Sequence, residues 1–123
     1  MKRLLLLFLL VAAFRADAQQ QAHPSLYDPS ANAEKDIQDA LAQAGKEHKH
    51  VLLQMGGNWC GCCLRFNDFV TKDTQLDSLV NANYVVYHLN YSQENKNKEQ
   101  FEKYGFRQRF GFPVFVVLDA TGK

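Results

Sequence analysis

The chain has 123 residues, 46% of them hydrophobic, and a formal net charge of +1. That length suits one small domain rather than two, and near-neutral charge without a basic cluster gives no support for nucleic-acid binding. Cys60, Cys62 and Cys63 are the only cysteines; they sit too close together for a long-range disulfide framework, so the fold must stand on an ordinary apolar core.

At the N-terminus, Lys2-Arg3 precede an uncharged run from Leu4 to Phe14, followed by Ala16-Asp17-Ala18. Basic, then apolar, then small residues at both recognition positions reads as a signal peptide over 1–18, cleaved after Ala18. The apolar run is short for a bilayer span and no cysteine lies near the cleavage point, so no stable membrane anchor is expected. The expected destination is an exported compartment, periplasmic or secreted, where disulfides persist. Cleavage moves the formal charge to about −1. Residues 19–31 read as a flexible N-terminal segment, and 32–123 as the folded domain.

Within that domain, Ala33, Ile37, Ala40, Leu41 and Ala44 recur with helical spacing. Asn32 is the expected N-cap, and Gly45 with the charged stretch after it is the expected end. Val51 to Met55 reads as a short buried strand, and Cys62 to Val70 as a helix. A further helix is expected over 74–81, with Leu76, Leu79 and Val80 facing inward. Tyr84 to Leu89 is β-branched and aromatic, a central strand. Asn90 to Lys98 is polar loop, then a short helix runs to Tyr104 and stops at Gly105. Arg107 and Arg109 read as solvated loop charges. Pro113 to Leu118 is the last strand, closed by the turn signal Asp119-Ala120-Thr121-Gly122. A turn there calls for a partner strand and a covering helix, so the chain is expected to be a fragment lacking its final strand and helix.

Trp59-Cys60-Gly61-Cys62-Cys63 carries the chemistry. A strand, a Gly56-Gly57 break and a helix put Cys60 at a helix N-terminus, where free N–H groups and the helix dipole favour thiolate over thiol. Cys63, one turn later, is placed to close a disulfide with it. Taking roughly 100° per residue, Cys62 falls about 160° from Cys60, towards Phe66 and Phe69, as a partly packed idle thiol. Two sharper roles for it are a second resolving thiol and a soft-metal site with Cys60 and Cys63. Three thiols bunched at a helix start make poor tetrahedral geometry, so no metal is expected.

Strand, Trp-Cys-x-x-Cys and a proline opening a later apolar strand together resemble the thioredoxin superfamily. Lys103-Tyr104-Gly105-Phe106 and Phe112-Pro113-Val114-Phe115 are similar to its pattern around the cis-proline, with two residues inserted near Gln108-Arg109. Tyr27-Asp28-Pro29 with Gly56-Gly57-Asn58-Trp59-Cys60 resembles an exported bacterial branch. The resemblance implies an α/β thioredoxin-like fold, a central mixed sheet flanked by helices. It implies Cys60 as attacking thiol, Cys63 as buried resolving thiol, and Pro113 as a cis-proline against the disulfide. Trp59 would shield the site, and Phe112 with Pro113 would position substrate. Two positions depart from the family pattern: Gln54 replaces a buried acid and His88 replaces a lysine. Gln54 cannot serve as a base; His88 titrates in a range suited to proton shuttling, though a local hydrogen bond is the plainer expectation. The implied activity is thiol–disulfide exchange on protein cysteines, with the Cys60–Cys63 disulfide as the redox group and no separate cofactor. Expected partners are protein thiols and disulfides, and a membrane-embedded electron donor or acceptor. The reading from another class is a redox-silent module binding peptide or metal.

Overall fold

The computed structural model describes residues 25–123. The signal-peptide reading over 1–18 lies outside them. Helix α1 spans Ala33–Glu47; Asn32 caps it, its side-chain oxygen accepting from Lys35 N–H, and Glu34 and Asp36 complement the dipole in the first turn. The helix runs through Gly45 rather than stopping there. His48, in the left-handed region at φ 56°, ends it by donating its N–H to the Ala44 carbonyl. Glycine tolerates helical geometry at modest cost, so the left-handed residue sets the boundary.

Strand β1 (His50–Gly56) is central. It pairs in parallel with β2 (Tyr84–Asn90) and antiparallel with β3 (Val114–Leu118), giving the order β2-β1-β3. The expected mixed sheet with flanking helices is what forms. Side chains alternate along a strand, so Val51, Leu53 and Met55 share one face. They enter a core with Ile37, Ala40, Ala44, Leu89, Phe101 and Leu118. The even-numbered residues Gln54 and Gly56 face the other way, towards α2 (Gly61–Lys72), which carries the cysteines.

Helix α3 (Thr74–Asn83) is capped by Asp73, which accepts from the N–H groups of Gln75 and Leu76. Leu76 and Val80 are half-buried, whereas Leu79 is 60% exposed. At about 100° per residue it lies roughly 80° off the line between the other two, so the inward placement expected for it does not hold. Helix α4 (Lys98–Lys103) buries Gln100 and Phe101. Beyond it the expected loop is wound into a 3-10 turn, Arg107–Phe110. Arg107 is tethered there by a bond from Nε to the Tyr104 carbonyl (2.9 Å), while Arg109 lies over the Phe110 ring.

The segment before α1 is not a loose lead-in throughout. Tyr27 is 1% exposed. Its backbone is clamped from both sides by Asn58, which accepts from Tyr27 N–H (3.0 Å) and donates to its carbonyl (2.7 Å). Asn95 likewise donates to the Pro29 carbonyl (3.0 Å). A polar segment with one large aromatic carries no periodic signal, so its burial was not readable from pattern.

Candidate active site

The strand-to-helix turn is built by hydrogen bonds that leave the helix start open. Cys60 N–H donates to the Gly57 carbonyl (3.0 Å) and Tyr91 N–H to the Gly56 carbonyl (2.6 Å), fixing the turn against the end of β2. Cys60 occupies the N-cap position with extended backbone, and its Sγ accepts the N–H of Cys63 at 3.2 Å. An N-cap side chain normally supplies an oxygen here. A sulfur in that place receives the same partial positive charge, which favours the anion once the thiol is free. Cys60 and Cys63 are joined as a disulfide. Of the two, Cys60 keeps the greater exposure, 6% against 1%.

Aromatic side chains border the pair. Trp59 is 59% exposed, and its indole Nε1–H donates to the Tyr91 carbonyl (2.6 Å). The Phe112 ring meets Trp59 edge-on at 5.5 Å and Tyr91 at 5.2 Å. Phe112 also packs on both the main core and the cluster formed by Tyr27, Cys60 and Cys63, so it joins the site to the fold. The Phe112–Pro113 peptide is cis. Trp59 and Phe112 therefore border the disulfide together, and Pro113 follows Phe112 through the cis peptide.

Behind Cys63 lies a buried polar pocket. Gln54 and His88 are side by side across β1 and β2, and the Tyr27 ring stands edge-on to His88 at 5.4 Å. Gln54 Oε1, His88 Nε2 and Tyr27 Oη are all buried without a hydrogen-bond partner among the described residues. Gly56 brings this pocket against the cysteines. A Cβ there would sit 2.5 Å from Cys63 Sγ and 2.8 Å from Tyr27 Oη.

A family model described as thioredoxin-like matches residues 32–120. The chain belongs to this thioredoxin-like family. A solved disulphide isomerase from Xylella fastidiosa Temecula1 is 31% identical, with a TM-score of 0.71 over 79% of this chain and 73% of that one. The thiol:disulfide interchange protein DsbD of Photorhabdus laumondii is 25% identical over 98% of this chain. The disulfide bond reductase DsbH of Chlamydia pneumoniae is 26% identical over 69% of it. The chain spans 22% and 55% of the lengths of those two relatives.

On this thioredoxin-like scaffold Trp59, Cys60, Cys63 and Phe112 lie together, Pro113 is joined to Phe112 by the cis peptide, and Gln54 and His88 are neighbours across β1 and β2. Cys62 stands apart. It is exposed, not partly packed, and its sulfur accepts from Arg65 Nη2 at 3.2 Å. The flank it was expected to share is open, because Phe69 is 66% exposed and Phe66 turns onto Phe115 at 4.8 Å. Tyr27, Arg65 and Tyr91 were not singled out as site residues. Arg65 was recoverable from its i+3 spacing to Cys62; Tyr91 and Tyr27 depend on long-range packing.

The local hydrogen bond expected of the His88 side chain is not formed at Nε2. Burial holds the His88 imidazole below its ordinary pKa of 6.5. An unfolded chain takes up this proton near pH 6.5 while the folded one resists it. The stability contributed by neutral His88 is therefore complete above about 6.5 and is lost as pH falls towards the folded pKa. Urea midpoints should fall as the pH drops below about 6.5, and His88→Phe should flatten that slope. An unchanged slope in the variant would assign the acid sensitivity to other groups.

Proposed function

We propose that this chain is a thiol–disulfide oxidoreductase acting on protein cysteines in an exported compartment. The observation that carries the reading is the Cys60–Cys63 disulfide across the first turn of α2, with Cys60 Sγ on the Cys63 N–H, in a thioredoxin-like fold. The activities for which the three relatives are named agree with it. In the reductive direction, Cys60 thiolate attacks one sulfur of a substrate disulfide. That bond breaks, the far substrate sulfur leaves as thiolate, and a mixed disulfide forms on Cys60. Cys63 thiolate then attacks Cys60 Sγ, releasing the second substrate thiolate and regenerating the 60–63 disulfide. Oxidation is the same sequence reversed. The disulfide is the redox group, so the reaction calls for no separate cofactor.

The surface formed by Trp59, Phe112 and Pro113 would receive substrate polypeptide beside the reacting sulfur. Export is supported by the signal-like pattern over 1–18; no helix among the described residues is long and apolar enough to cross a membrane. An exported reductant or oxidant needs a redox partner, and a membrane-embedded donor or acceptor suits that compartment.

Insulin reduction by wild type, Cys60→Ser and Cys62→Ser tests the reading. Cys60→Ser should lose at least about a hundredfold in turnover, as removal of a nucleophile does, while Cys62→Ser keeps most of it. Equal turnover in Cys60→Ser and wild type would end the proposal.

A further inference from the structure

We infer that Tyr27 is a catalytic hydrogen-bond donor to the Cys63 thiolate, completing the active site from the segment that precedes the first helix. The inference deepens the oxidoreductase reading and rests on it. Three observations converge. Tyr27, Cys60 and Cys63 form one buried cluster, bordered by Leu26 and Phe112. Tyr27 Oη and Cys63 Sγ lie 2.8 and 2.5 Å from the point a Gly56 Cβ would occupy, so both face the same space that the missing methyl leaves open. The hydroxyl is buried and has no partner among the described residues, in a residue that is 1% exposed and whose backbone Asn58 clamps. A buried hydroxyl without a partner costs free energy. A partner generated during turnover accounts for its retention.

Cys63 supplies that partner. When an incoming thiolate attacks Cys60, the 60–63 bond breaks and its electron pair stays on Cys63 Sγ. The resulting thiolate is buried, where an unpaired charge is costly. The Tyr27 O–H donates a hydrogen bond to it without giving up its proton, since burial raises this phenol to about 12. The thiolate later takes its proton from water. In the reverse direction the same bond raises the fraction of Cys63 present as thiolate, and its attack on Cys60 Sγ expels the substrate thiolate. The other polar groups of the pocket fit the role less well. Gln54 and His88 also carry N–H groups, but it is the Tyr27 hydroxyl that shares the space beside Gly56 with Cys63 Sγ.

The test is the Cys63 titration, read by ultraviolet thiolate absorbance in a Cys60→Ser, Cys62→Ser background, with Tyr27 kept or changed by Tyr27→Phe. Loss of a charge-assisted hydrogen bond should lower the thiolate fraction at neutral pH about tenfold or more. Because nucleophilicity rises with pKa, resolution of a preformed mixed disulfide in the Cys60-containing protein should slow by a smaller factor, about threefold. Site-specific fluorotyrosine at position 27, a stronger donor of nearly the same shape, should shift the titration the opposite way; it serves equally if Tyr27→Phe fails to fold. A Cys63 titration unmoved by these changes overturns the assignment, whether or not wild type turns over insulin. Absence of insulin turnover in wild type strikes the oxidoreductase reading, while the titration still decides what Tyr27 does.

Discussion

Gly56→Ala should both destabilise the fold and push the cysteine pair towards its reduced form. The added methyl would meet Cys63 Sγ at 2.5 Å, Tyr27 Oη at 2.8 Å and the Tyr27 ring carbon Cζ at 3.1 Å. Neither neighbour retreats easily: Cys63 is held by α2 and by its bond to Cys60, and the Tyr27 backbone is held by Asn58. Overpacking of this kind costs about 1–3 kcal/mol, which in a domain of this size lowers the thermal midpoint by roughly 5–20 °C. Reduction frees Cys63 Sγ to rotate away, so part of the clash falls on the oxidised form alone. The thiol–disulfide equilibrium against glutathione should then shift towards the dithiol by about tenfold, equivalent to about 30 mV. Calorimetry and a glutathione titration check the two halves separately. Tyr27→Phe removes one of the clashing atoms, so the double variant should lose less than the sum of the singles. An Ala variant as stable and as oxidising as wild type would show that the pocket behind Cys63 yields more readily than its packing implies.

The elements that pattern alone identified are those whose determinants are local. The run Val51 to Met55 and the Asn32 cap lie where expected, because neighbouring residues suffice to specify them; Tyr84 to Leu89 forms the expected strand, but at an edge of the described sheet rather than its centre, since pairing order is set by long-range packing. Trp59-Cys60-Gly61-Cys62-Cys63 was legible for the same reason: spacing and a helix start place two sulfurs together. The misreadings share the opposite cause. Leu79 is exposed and Cys62 open because nothing among the described residues covers their flanks, a fact of tertiary packing that helical phase cannot report. Gly45 continues a helix that the left-handed His48 ends. Tyr27 is a lone aromatic in a short segment without periodic pattern, and its backbone is held by Asn58, 31 positions away. The departures at Gln54 and His88 were visible in the sequence, but not the hydroxyl that joins them in the pocket.

Replacing the second cysteine should convert the protein from a catalyst into a trap. In Cys63→Ser, Cys60 Sγ still sits at the start of α2, where the N–H at position 63 points at it. Its attack on a substrate disulfide therefore proceeds. The serine hydroxyl cannot displace the substrate sulfur, so the mixed disulfide accumulates. In wild type the neighbouring thiolate clears it by an intramolecular reaction, whose effective concentration far exceeds that of any thiol in solution. Mass spectrometry of reduced Cys63→Ser after exposure to a disulfide-bonded protein reads the outcome directly. The account predicts a stoichiometric adduct on Cys60, none on Cys62, and almost none in wild type. An adduct confined to Cys62, or none in Cys63→Ser, would contradict it.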